Sequence, residues 1–338
     1  MKILVFEYVT GGGMSGESIP DSLFQEGLLM LKALVKDLLE SDDKQLLIPL
    51  DERLQRVAYC FAHPNIEIIY IKSKQVAYGW LKPYIVCSDA VWIIAPEIDG
   101  ILYQFTRLVE DLGKINLASP STAVFCTSDK LSTYQRLLAF DIDAVPTKLF
   151  KLHGSFYQKD QVVKPVNGMG CENTYLINCD NNFATFPYLL DQTKQYIVQP
   201  YVEGETKSIN GLFRNGNAWL LSVNQQVMEI VDHCFHLRAI EVNVGGSREM
   251  YQNLIENIAA AFPDLWGYVG IDFIENQHGL FVLEVNPRFT TSYVGLKQAL
   301  GINVAELVID LLNNEPVVNF TKNQKITIYL NEGSNAKD

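Results

Sequence analysis

The sequence predicts a mixed α/β and α+β protein: a parallel N-terminal domain followed by β-rich segments that pair as antiparallel hairpins. Three observations predict it. Short apolar runs at residues 2–9, 45–50, 66–71 and 91–95 alternate with helical stretches as far as about residue 120, as in βαβ units. Beyond that point β-rich segments are closed by turn residues, Asn215-Gly216 being a strong hairpin turn. The stretch 267–293, GYVGIDFIENQHGLFVLEVNPRFTTSY, sets two runs rich in β-branched and aromatic residues around a loop of about five residues at 275–279.

At 338 residues the chain has room for two or three domains. Apolar content of 48% and charged content of 20% are those of a globular protein rather than a disordered one. The net charge of −12 argues against nucleic acid as a main partner, because phosphate backbones need a basic face. A small phosphate ligand needs only a few local lysines and stays open. Six scattered cysteines without CxxC spacing suggest neither zinc nor a disulfide framework. The beginning MKILVFEYV turns polar too soon for a signal peptide, and no apolar run approaches a membrane span. The expectation is a cytoplasmic protein with small-molecule partners, no nucleic acid and no membrane, its oligomeric state open with a homodimer as one option.

In chain order, a buried strand at 2–9 leads into the loop TGGGMSGESIPD. A helix over 22–39 follows, with Asp21 as N-cap and a stripe of Leu23, Leu28, Leu31, Leu34, Val35 and Leu38. Gly11, Gly13 and Gly16 match GxGxxG spacing. The following strand ends near Asp51, too late for the usual ribose acid, so a nicotinamide site is disfavoured. Two readings of Gly11, Gly12 and Gly13 remain: a tight loop with exposed amides beside a substrate pocket, or a purely structural turn. Ser128-Asp129-Lys130 opens a helix to about Phe140, and residues 144–150 return as a strand. Strands are expected at 161–166, 196–202, 207–214 and 218–224, helices at 247–261 and 303–312, and a last strand at 325–330. His233 and His236 have no metal-like spacing and read as packed or surface residues.

The hairpin at 267–293 carries the chemistry. In a strand alternate side chains share a face, so Phe281, Leu283 and Val285 point into a core while Leu280, Val282, Glu284 and Asn286 point the other way. Arg288 continues the row if the chain stays extended past Pro287. Closing a five-residue loop puts Asp272 opposite Val282 and diagonal to Glu284, about 7–8 Å away. Asp272, Glu284 and Asn286 are then an oxygen set for Mg²⁺ with positions open for phosphate and water. The plainer reading is a solvated acidic face closed by an Asn-Pro turn. Two lysine segments weigh against it. Lys164 closes a strand just before a flexible Gly-x-Gly loop able to lie over a polyphosphate, and Lys130 stands at a helix entry, which favours anions.

The combination SDK at 128–130, VVKPVNGMG at 162–170, QPYVEGE at 199–205, GIDF at 270–273 and EVNPR at 284–288 resembles the ATP-grasp superfamily over roughly residues 115–330. FEYVTGGG at 6–13, Pro20 and EGLLMLKAL at 26–34 are similar to a narrower subgroup, which includes a ligase joining tyramine to glutamate in methanofuran biosynthesis. The resemblance implies a pre-ATP-grasp domain at 1–120, a small lobe at 121–195 and a large lobe with the metal site at 196–332. It implies ATP as cofactor, with Lys130 and Lys164 at the phosphates or adenine and Gly168–Gly170 as a lid. Gln199 belongs to the same nucleotide motif, the Tyr201 and Val202 backbones would meet the adenine edge, and Asp272, Glu284 and Asn286 would hold Mg²⁺ or Mn²⁺. Arg288 would face the transferred phosphoryl group. Many relatives carry a ribose-binding glutamate where Thr206 stands, so Glu205 is the substitute candidate.

The implied activity is ATP-dependent joining of a carboxylate to an amine through an acyl phosphate, with glutamate and a phenethylamine-type acceptor as substrates. Alternatives are a ligase for other amino acids, a small-molecule kinase, a non-catalytic nucleotide-binding module and, least favoured, a dehydrogenase.

Overall fold

Five strands, β1 (Lys2–Glu7), β2 (Gln45–Asp51), β3 (Ile66–Ile71), β4 (Ala90–Ile94) and β5 (Ile115–Asn116), form a parallel sheet in the order β3-β2-β1-β4-β5. The computed structural model describes residues 1–72, 77–151, 160–168, 171–177 and 190–330. Helices α1 (Asp21–Leu38), α2 (Ala77–Val86) and α3 (Ile101–Asp111) connect these strands, and a 3₁₀ segment, Glu52–Phe61, follows β2. β1 and β4 are almost wholly buried, as strands covered on both faces must be. α1 starts one residue earlier than expected. Pro20 takes the cap position and Asp21 sits in the first turn, where its charge suits the positive end of the helix.

The rest of the chain follows as α4 (Ser121–Ser128), α5 (Lys130–Ala139), β6 (Lys148–Leu149), β7 (Gln161–Pro165), β8 (Tyr175–Ile177) and β9 (Tyr196–Pro200). Then come β10 (Glu205–Arg214), β11 (Asn217–Val231), β12 (Cys234–Val242), α6 (Arg248–Ala261), β13 (Gly267–Asn276), β14 (Gly279–Asn286), α7 (Tyr293–Leu300), α8 (Val304–Asp310) and β15 (Ile326–Tyr329). Their strands join in the order β14-β13-β10-β11-β12-β8-β7-β9-β6, with β15 on β12. Between β12 and β8 the described ladder is a single pair, Cys234 with Tyr175.

Several elements differ from expectation. Residues 144–150 do not run as one strand: Ala144 bridges Val282 in parallel, and only Lys148–Leu149 pair with β9. β11 and β12 make a hairpin that the sequence hid, because its turn, Asp232-His233, puts two non-glycine residues at positive φ. Asn215-Gly216 makes the expected turn, both residues at positive φ. α7 was likewise not expected.

One core fuses the two sheets. Ile3, Val5, Leu34 and Trp92 of the parallel unit pack in the same cluster as Leu212, Tyr268, Phe289, Tyr293 and Val308. Phe289 stacks on Tyr293 with centroids 4.0 Å apart and lies 5.0 Å from Trp92 and 4.9 Å from Tyr268. Tyr293 also donates to buried Asp37 of α1 at 2.6 Å, and Lys297 reaches the same carboxylate at 3.0 Å. The chain just after β14 is therefore clamped between the two units.

Candidate functional site

The 267–293 hairpin is tighter than expected, and its register differs. Asn276 pairs with Gly279, so the loop is two residues, Gln277-His278, rather than five. A β-bulge at Leu283 then restores the register, and Asp272 pairs with Glu284 instead of lying opposite Val282. The extra residue also breaks the simple alternation. Val282 and Val285, three apart, are both in the core, whereas Phe281 and Leu283 are only half-buried. Directly opposed side chains on one face have Cβ atoms about 4.5–5.5 Å apart, closer than the diagonal expected.

Asp272 accepts from Gln226 Nε2 at 2.9 Å and from Asn286 Nδ2 at 3.0 Å. Across from it, Glu284 Oε2 lies 3.0 Å from Nζ of Lys130, the first residue of α5, whose side chain is only 7% exposed. The same Nζ donates to the Gly168 carbonyl at 2.7 Å. Lys164, on β7, is buried and faces the same charges. Burial lowers its pKa and neighbouring Lys130 lowers it further, against the pull of Glu284. Burial alone would raise the Glu284 carboxyl, but Lys130 and Lys164 together hold it below the usual range. Asp272 moves the other way, raised by burial and by the Glu284 charge.

Two half-buried carboxylates forced together, one of them resisting ionisation, are what a hard divalent cation relieves. The donors fit such an ion. Asn286 offers Oδ1 once its amide is turned. Among the described residues no three His, Cys, Asp or Glu side chains cluster, so phosphate and water oxygens would complete the shell of an ion held here.

Arg288 is not a simple continuation of the strand row. β14 ends at Asn286 and the chain bends, so Arg288 Nε donates to Glu97 Oε2, beyond the end of β4, at 2.8 Å, and Nη1 to the Phe289 carbonyl at 3.0 Å. Gly270 permits this. A Cβ there would come within 2.7 Å of Thr290 Cγ2, so the missing side chain makes room for the segment after Pro287 to fold over the sheet face. The guanidinium still feels Glu26 and Glu284 as well as Glu97, and these charges raise its pKa despite burial, the largest influence, which lowers it.

The remaining expected residues fall as follows. Gln199 is buried and donates to Thr147 Oγ1 at 2.8 Å, so its amide holds the frame. The Tyr201 N–H donates to the Asp160 carbonyl at 2.9 Å. Glu205 pairs with Lys207 at 2.6 Å, and Lys207 also binds Glu275 at 2.7 Å; a ribose would have to compete with that pairing. Gly168 lies at the site through Lys130, while Gly170 is outside the described residues. Gly11 and Gly13 do not have the freely exposed amides of the pocket reading. The Gly11 N–H donates to the Glu7 carbonyl and the Gly13 N–H to the Tyr8 carbonyl, and the Glu7 carboxylate takes the Val9 and Thr10 amides and the Thr10 hydroxyl. The Gly11 and Gly13 amides are thus committed within the turn.

Sequence reasoning missed Gln226, Glu97 and Glu26, the last bonded to Thr291. Gln226 had a legible signal in the alternation of β11. Glu97 and Glu26 had none, because only the packing of the two units brings them to Arg288 and Thr291.

Comparisons with known proteins bear on the family and the fold. An ATP-grasp domain family matches residues 127–292 and a pre-ATP-grasp domain family residues 45–124. Over 328 residues the chain is 28% identical to a tyramine–L-glutamate ligase of Methanocaldococcus jannaschii, covering 96% of this chain and 94% of that protein. The ligase of the same name from Methanocaldococcus fervens is 27% identical, with 96% and 99% covered. Among solved structures, an ATP-grasp superfamily protein from Archaeoglobus fulgidus superposes with a TM-score of 0.71 at 24% identity, covering 97% of this chain and 92% of that one.

Proposed function

Because this chain belongs to the ATP-grasp superfamily, we propose that it is an ADP-forming carboxylate–amine ligase joining glutamate, through its side-chain carboxylate, to tyramine or a similar phenethylamine. The observation that carries the reading is a single sheet face on which Asp272, Glu284 and Asn286 meet two buried lysines, with Arg288 at its end. The substrate names are those of the relatives. We assign the parallel unit up to about residue 120 to the pre-ATP-grasp domain, residues 121–195 to the small lobe and 196–332 to the large lobe.

The chemistry explains the parts. A carboxylate repels nucleophiles until transfer of the ATP γ-phosphoryl group turns it into an acyl phosphate, from which an amine then displaces phosphate to give an amide. Phosphoryl transfer is mostly positioning and charge neutralisation. In this reading Lys130 and Lys164 neutralise phosphate oxygens, and the charge that Glu284 now balances passes to the nucleotide. Arg288 meets the moving phosphoryl group with a planar fork of donors. The Tyr201 carbonyl and Val202 N–H take the adenine edge. A Mg²⁺ or Mn²⁺ ion on Asp272, Glu284 and Asn286 would supply further charge stabilisation at the phosphates. Lys130, holding the Gly168 carbonyl, ties the start of the glycine loop to the same site, where closure keeps water from the acyl phosphate.

The test is product analysis. ADP and phosphate should form in a glutamate-dependent way and faster with tyramine, alongside an amide of the summed mass less water. AMP and pyrophosphate would sink the acyl-phosphate account, and a phosphorylated product with no amide would make the protein a kinase.

A further inference from the structure

The ion pair between Glu97 and Arg288 joins residues 191 positions apart, one on each side of the core shared by the two units. Both side chains are largely buried, 7% and 11% exposed. A pair serving only to tie two units together gains most when both carboxylate oxygens meet two guanidinium nitrogens. This pair does not do so. Only Oε2 accepts, and it accepts from Nε, the inner nitrogen; Oε1 is buried with no partner among the described residues. Leaving a buried carboxylate oxygen unpaired is costly. The guanidinium is thus gripped from its side by Glu97 and steadied through Nη1 by the Phe289 carbonyl, while Nη2 makes no bond among the described residues.

The frame around this grip is stiff. Phe289 sits against Trp92 of β4, three residues before Ala95 and five before Glu97, and Thr291 is bonded to Glu26 of α1. Two competing carboxylates, Glu26 and Glu284, also act on Arg288. Without Glu97 the guanidinium would be drawn toward those acids and away from a fixed orientation.

We propose that Glu97 is a positioning residue for the ligase reaction: its side-on bond to Nε sets the plane of the Arg288 guanidinium and leaves Nη2 to the transferred phosphoryl group. The inference rests on the ligase reading above. It makes the N-terminal unit, which contributes none of the candidate metal or lysine groups, part of the machinery that orients the phosphoryl-facing arginine.

The test is a double-mutant cycle on the full chain with Glu97→Gln, Glu97→Asp and Arg288→Lys, reading kcat, the KM for ATP and Tm. Glu97→Gln should lower kcat by about 10²-fold, as for a misplaced reacting group, with the KM for ATP within about threefold. Glu97→Asp, which keeps the charge but withdraws it, should fall between Glu97→Gln and wild type. In the Arg288→Lys background Glu97→Gln should change kcat by less than about threefold, because its effect passes through the arginine already lost. Multiplicative losses in the double variant, or a lowered Tm with wild-type kcat, would overturn the positioning role and leave a structural tie. A second reading does not depend on turnover. The ¹⁵N–¹H signal of Arg288 Nε should be protected from solvent exchange in wild type and lose that protection in Glu97→Gln. If wild type forms no amide with any amine tried, the ligase reading fails on its own, and an unprotected Nε proton in wild type removes the grip itself.

Discussion

Replacing Glu284 by Gln removes one charge from the most crowded electrostatic point in the protein with little change of volume. Glu284 balances Lys130 at 3.0 Å and acts on buried Lys164. Breaking a buried pair by removing one partner costs about 3–5 kcal/mol. Three features reduce that figure here. The Gln carbonyl still accepts from Lys130, Lys130 keeps the Gly168 carbonyl, and Asp272 is relieved of a like charge. We therefore expect a loss of about 2–3 kcal/mol. With an unfolding entropy of about 2.1 cal/mol/K per residue, that lowers Tm by roughly 3–4 °C. Turnover should fall by about 10²-fold or more, and nucleotide affinity with Mg²⁺ should drop modestly, because the same charge would hold the cation. Thermal denaturation with and without ATP and Mg²⁺, beside steady-state ADP release, measures all three. Wild-type Tm and turnover together would remove Glu284 from the site. A lowered Tm with wild-type turnover would reduce it to a structural counter-charge.

Arg288→Lys keeps the charge but loses the planar fork, so ATP binding should stay within a few-fold while single-turnover phosphate release slows by about 10²–10³, roughly 3–4 kcal/mol. Binding and release falling in parallel would instead make Arg288 a ground-state anchor. Glu7 gives a pH signature. Burial raises its carboxyl above the ordinary value of 4.5, against hydrogen bonds from Thr10 and Val9 that lower it. The folded state therefore holds that proton more tightly than the unfolded one. The contribution is full below pH 4.5 and is lost as pH rises through the raised value. In denaturant titrations from pH 4 to 8, wild type should lose stability relative to Glu7→Gln as pH increases, and a relative gain would show that the hydrogen bonds outweigh burial.

Much of the architecture was legible because its signals are local. Apolar runs separated by helical stretches set out the parallel sheet, and Asn215-Gly216 announced its hairpin because both turn positions need positive φ. Asp272, Glu284 and Asn286 could be placed on one face from strand alternation alone, and Lys130 and Lys164 were marked by their positions at a helix entry and before a glycine loop. What alternation could not supply was the bulge at Leu283. It depends on how Val282 and Val285 both reach the core, and it converts a diagonal pair of carboxylates into a directly opposed one. The turn at Asp232-His233 was hidden for a related reason: the strands on either side hold two non-glycine residues in a conformation they do not prefer. Residues 11–13 show the limit of motif spacing, since GxGxxG records where glycines stand and not whether Glu7 and Tyr8 already take the loop's amides. The direction of Arg288 was decided furthest from its own sequence. The bend after Pro287, the gap left by Gly270 and the packing of Phe289 on Trp92 bring it to Glu97, 191 residues away, because an ion pair of that span exists only once two sheets share one core.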